Sequence, residues 1–146
     1  MDLIARIIHA ITQLHPLHPM LVHFPIGLTG GGAFFMLLAL LRKEKTLEQV
    51  AFANIALASV ATLAAGAAGI YDNQLNYQGG APNATAKIIL ASLLLVITTL
   101  TAIMRWRKPD LFENATTRLP YASAYFVSFA LALVLAFLGG VILYGF

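Results

Sequence analysis

The chain has 146 residues, 60% of them apolar and only 10% charged, and its nine Lys and Arg against six Asp and Glu leave a formal net charge of +3. With a mean hydropathy of +0.82 there is too little polar surface to coat a water-soluble globule, so part of the surface must face lipid. Charge this sparse gives no nucleic-acid footprint, and the absence of cysteine excludes disulfides, thiolate metal sites and covalently attached c-type haem.

In chain order, Leu3, Ile4, Ile7, Ile8 and Ile11 alternate with Asp2, Arg6, His9 and Gln13 at amphipathic helical spacing. The stretch is too short to span a bilayer and predicts a helix lying in the interface. It lacks the clustered basic n-region and the Ala-x-Ala-like site of a signal peptide. Next comes the densest signal in the chain, His15-Pro16-Leu17-His18-Pro19-Met20-Leu21-Val22-His23-Phe24-Pro25-Ile26-Gly27-Leu28, which holds three of the four histidines. Pro19 suits the first turn of a helix, which makes His18 its cap, whereas Pro25 removes the bond to the Leu21 carbonyl and bends the helix.

The first apolar span, about residues 20–41, carries Gly27, Gly30, Gly31 and Gly32, where another backbone can approach closely. It ends in Arg42, Lys43, Glu44 and Lys45, a charged run that cannot stay in lipid. The second, about 50–70, is rich in Ala and Gly, with 61–69 reading as a close-packing face. It gives way to a polar stretch, 72–85, punctuated by Gly79, Gly80 and Pro82. The third, about 88–104, meets Arg105, Trp106, Arg107, Lys108 and Pro109, and the fourth, about 121–144, carries no charge. Each block matches the roughly 20 residues that cross a bilayer. The expected architecture is therefore all-α: one transmembrane domain over 1–146, an integral membrane four-helix bundle with a short N-terminal interfacial helix.

Seven of the nine basic residues, Arg42, Lys43, Lys45, Arg105, Arg107, Lys108 and Arg118, lie in the first and third loops. The positive-inside rule then places these loops in the cytoplasm and both termini on the periplasmic or exterior side of a bacterial inner membrane. Asn83-Ala84-Thr85 and Asn114-Ala115-Thr116 match the glycosylation triplet, which is common by chance, and the second falls in a loop expected to be cytoplasmic.

The chain resembles the family named domain of unknown function 2231, small bacterial and archaeal membrane proteins. The resemblance rests first on the His-Pro-x-x-Val-His-Phe-Pro-Ile signature, met by His18, Pro19, Val22, His23, Phe24, Pro25 and Ile26. Further elements are Gly66, Gly69, Tyr71 and Asp72 in the second helix and Leu138, Gly139 and Gly140 in the fourth. Members are typically four-helix proteins, sometimes fused to or encoded beside cytochrome c-type domains, so the resemblance implies a haem or redox connection. Two departures weaken it: Ala86 and Lys87 stand where many relatives have a His, and Tyr144-Gly145-Phe146 stands where many have a His-containing tail.

The topology gathers His9, His15, His18, His23, Asp72, Lys87 and Tyr144 at the outer end. Ionisable groups at a membrane edge are functional candidates, and neutral imidazole is a common metal ligand. His15, His18 and His23, with Asp72, would suit zinc or copper. Haem b on His23, His18 or His15 would need a second axial ligand from His9, His15, Met20, a second copy or a partner, because the second, third and fourth spans hold no His. His18 and His23 lie about 140° apart around one helix and make no chelate alone. The competing reading is structural: His18 caps, His23 bonds to Asp72 or to a carbonyl freed by Pro25, and Asp72 with Lys87 forms an ion pair. Of these residues His23 draws the most weight as an inward-pointing ligand.

No phosphate loop, nucleophile elbow or paired carboxylate marks an enzyme. Three functions remain in view: an accessory or electron-transfer subunit of a membrane redox assembly, a cofactor-free structural or anchoring subunit, and a small channel or transporter. The last is disfavoured by spans that read as free of buried charge. The expected partners are the lipid bilayer and other membrane subunits or further copies of the chain, with no nucleic acid.

Overall fold

A computed structural model describes residues 2–9 and 17–144. It is helical, with no strand among the described residues: α1 (Leu3–His9), α2 (Leu17–Leu21), α3 (His23–Arg42), α4 (Lys45–Tyr77), α5 (Ala84–Arg107) and α6 (Ala115–Tyr144). Four segments are long and apolar enough to cross a membrane, namely Leu17–Arg42, Lys45–Tyr77, Ala84–Arg107 and Ala115–Val141. The first joins α2 to α3 across a turn at Val22, the residue after Leu21, whose carbonyl Pro25 cannot reach as a donor. Because α2 begins at Leu17, His18 sits inside its first turn rather than at the cap.

The helices extend beyond the hydropathy blocks. α4 runs 33 residues, about 50 Å at 1.5 Å per residue, so it outreaches the hydrocarbon at its polar end. Residues 72–77 thus belong to the helix, and the connection to α5 shrinks to 78–83, closed by left-handed Gln78 (φ 49°) and Gly79 (φ 83°). Asn73 Oδ1 accepts the Ala81 N–H at 3.0 Å and ties this turn to α4.

α3 packs on α4 and α6, and α5 on α4 and α6, which closes an up-and-down square. Buried positions recur three and four apart: Ala51, Ile55, Ala58, Thr62 and Ala65 on α4, and Leu94, Thr98 and Thr101 on α5. The long aliphatics point outward, with Leu57, Val60 and Leu63 more than half exposed. This small-inside, large-outside pattern is what lipid allows, because no hydrophobic effect drives Leu inward there and close backbone packing does the work. The buried threonines satisfy themselves one turn back: Thr29 on Pro25 O (2.6 Å), Thr62 on Ala58 O (2.7 Å) and Thr98 on Leu94 O (2.9 Å). The predicted close backbone approach occurs at Gly32, which faces the Ala51 carbonyl and Tyr125; Gly30 and Gly31 instead admit the side chains of Phe129 and Asn54, and Gly27 has open space. Gly66 likewise has open space where a Cβ would stand.

The loop between α5 and α6 folds inward. Leu111 and Phe112 are buried against Met36, Ala39, Ala51, Ile55, Tyr121 and Tyr125, sealing this end of the bundle. Asn114 Oδ1 accepts the Thr116 N–H at 3.0 Å and so caps α6. That capping role accounts for the Asn-Ala-Thr triplet structurally.

Candidate functional site

At the histidine end the two signature imidazoles part company. The His18 Nδ1–H donates to the Ala65 carbonyl of α4 at 2.9 Å, and its ring rests on Gly69, where a Cβ would lie 2.7 Å from Cε1. Since a carbonyl can only accept, Nδ1 carries a proton, and the neutral form of the ring has its lone pair on Nε2. His23, expected to point into the bundle, is instead exposed, and its Nδ1–H donates to Pro19 O at 2.6 Å. One helical turn explains the bond: Pro19 O lies four residues back, within reach of the ring but on the outer face.

The other expected ligands do not join His18. Asp72 accepts a bond from Asn76 Nδ2 rather than from His23. The ion pairs among the described residues are Lys45–Glu113 and Arg105–Glu48, so Asp72 and Lys87 do not close the expected ion pair. His15 lies outside the described residues. No three His, Asp or Glu gather to hold a metal ion among the described residues. Met20 is 60% exposed, and α4, α5 and α6 contain no His. Among the described side chains, His18 is the one imidazole that faces a neighbouring helix, so His18 and His23 do not form the axial pair of a haem within one copy.

The opposite end holds a site that the sequence reading missed. Glu48, fully buried near the start of α4, accepts from Arg105 Nε (2.6 Å) and Tyr121 OH (2.7 Å) through Oε1, and from Arg105 Nη2 (2.9 Å) through Oε2. With its proton committed to Glu48, the Tyr121 oxygen accepts from Tyr125 OH at 2.6 Å. The two rings meet edge to face at 5.3 Å, and the Arg105 guanidinium stands 5.4 Å from the Phe52 ring. Four side chains from α4, α5 and α6 thus satisfy one another in the buried interior. The expectation that the spans bury no charge is overturned. Hydropathy placed Glu48 and Arg105 just outside two spans, yet each continues the buried stripe of its helix, Glu48 before Ala51 and Ile55, Arg105 after Thr98 and Thr101. That spacing was the available signal.

Chemically, the paired network is a lock: a bidentate guanidinium–carboxylate fork has directional bonds that fix helix rotation and register. The His18 end carries one oriented imidazole on a small-residue helix face. The family model described as a predicted membrane protein, domain of unknown function 2231, matches residues 14–146. No curated protein and no solved structure matches the chain.

Proposed function

Because the chain belongs to that family of predicted membrane proteins, we propose that it is a small accessory subunit that anchors a membrane redox assembly and engages it through the His18 end. The observation carrying this reading is the imidazole of His18, its Nδ1–H held by the Ala65 carbonyl and its edge seated on Gly69. A ring fixed through Nδ1 to a backbone carbonyl is the arrangement that presents Nε2 to a metal or to a donor from a partner. Among the described side chains one copy supplies a single such ring, so the second ligand of any shared centre comes from His9, His15, a partner subunit or a second copy. The basic loops, including Lys43, Arg107 and Lys108, support an orientation in a bacterial inner membrane with the loop end on the cytoplasmic side and the His18 end at the periplasmic or exterior face.

A second reading, a cofactor-free anchor, is favoured by the Glu48–Arg105–Tyr121–Tyr125 network, whose polar groups pair with one another without any ligand. Optical spectra and metal analysis of the protein prepared with haem and metals available separate the two. A bound chromophore or metal lost in His18→Ala and kept in His23→Ala supports the first reading. A protein that stays colourless and metal-free alone and with co-purifying subunits sinks it.

A further inference from the structure

Beneath the basic loops, the C-terminus of α3, the start of α4 and the α5–α6 loop enclose a cleft of about 250 Å³ lined by Leu40, Lys43, Lys45, Phe112, Glu113 and Arg118. Three cations face one carboxylate, a surplus of two positive charges. Lys45 Nζ donates to Glu113 Oε1 at 2.6 Å, and both side chains are about half exposed (50% and 54%). That pairing leaves Lys43 and Arg118 as the surplus.

Arg118 is held in advance. Its Nε donates to Phe112 O (2.7 Å) and its Nη2 to Glu113 O (3.0 Å), while its guanidinium carbon stands 5.7 Å from the Phe112 ring centre. Two of its five N–H groups are thus spent on orienting it, and three remain to meet an acceptor. Lys43 is fixed at the backbone as the left-handed C-cap of α3 (φ 55°), its N–H bonded to Ala39 O. A pre-positioned guanidinium beside an ammonium is the chemistry that takes a phosphate.

We infer that this cleft binds the phosphate of an anionic membrane phospholipid. A lipid headgroup is favoured over free phosphate by the setting, because Leu40 lines the cleft and its neighbour Leu41, 71% exposed, is the last apolar residue before Arg42 and Lys43. The change from lipid-facing to charged surface falls within one helical turn, at headgroup level. A basic residue that meets the bound anionic headgroup contributes about 1 kcal/mol, roughly a fivefold change in affinity.

The test titrates the detergent-purified full chain with phosphatidylglycerol, phosphatidylcholine or inorganic phosphate, reading bound lipid by native mass spectrometry and the shift in melting temperature. Phosphatidylglycerol binds in preference to phosphatidylcholine, Lys43→Gln weakens it about fivefold, and Arg107→Gln with Lys108→Gln, off the cleft, leaves it unchanged. Arg118→Gln also weakens binding, and because that change disturbs two backbone bonds, Lys43→Gln, which breaks no side-chain bond, decides the outcome. Equal binding of the two lipids, an undiminished Lys43→Gln, or loss in the Arg107/Lys108 control equal to that in Lys43→Gln overturns the site. Inorganic phosphate that competes at the lipid's own affinity overturns the assignment to a lipid.

Discussion

Replacing Arg105 by Met tests the buried network most directly. The change removes two of the three hydrogen bonds to the Glu48 carboxylate, those from Nε and Nη2, and leaves Tyr121 OH as its sole partner in a site where Glu48 has no exposure. Hydrogen bonds to a charged group contribute roughly 1.5–3 kcal/mol each, and orphaning one member of a buried ion pair costs about 3–5 kcal/mol. The two routes agree on a loss of about 4 kcal/mol, which in a chain of this size lowers the melting temperature by on the order of 10 °C. Combining Arg105→Met with Glu48→Leu removes both charges, and apolar replacements of buried pairs are often neutral or stabilising. The double variant should therefore recover most of the loss, with a coupling of roughly 2 kcal/mol or more. Thermal and denaturant unfolding of the four proteins in one detergent reads this cycle. Single-variant losses that simply add, or an Arg105→Met loss below about 1 kcal/mol, would refute a desolvated lock at this end.

Gly69→Leu should displace His18 from α4 and cost about 1–3 kcal/mol by overpacking, because even a Cβ there meets the ring at 2.7 Å, whereas Gly66→Leu, with open space, should leave unfolding unchanged. Equal effects at the two positions would remove His18 from that contact. For topology, a reporter fused after Phe146 should be active outside the cytoplasm and one placed within residues 108–114 inside it; the reverse pattern overturns the charge argument.

The four spans were legible because hydropathy is a sum over neighbouring residues, and the clusters at Arg42–Lys45 and Arg105–Lys108 break that sum sharply. Span ends were less legible. Helices continue past the hydrocarbon wherever backbone bonds and caps sustain them, as α4 does from Ile70 to Tyr77. At the candidate site the signature histidines were visible, but His18 rather than His23 is the one that meets α4. Helical phase separates His18 from His23, and only the position of α4 decides which of the two faces inward. The glycines behaved likewise: Gly69 accepts a ring and Gly66 accepts nothing, although both belong to the same Ala- and Gly-rich run.

The amino-acid sequence by itself determined that the chain is a membrane-embedded four-helix protein, since burying roughly 20 apolar residues in lipid is a local free-energy balance that each segment settles alone. Tertiary structure decided that Glu48 meets Arg105, 57 residues away, and Tyr121, 73 away. Charged residues at span ends can face water, headgroups or one another, with the outcome set by how the helices rotate and slide against their neighbours. That relative geometry arises from the packing of small residues on all four helices together, and no single segment contains it.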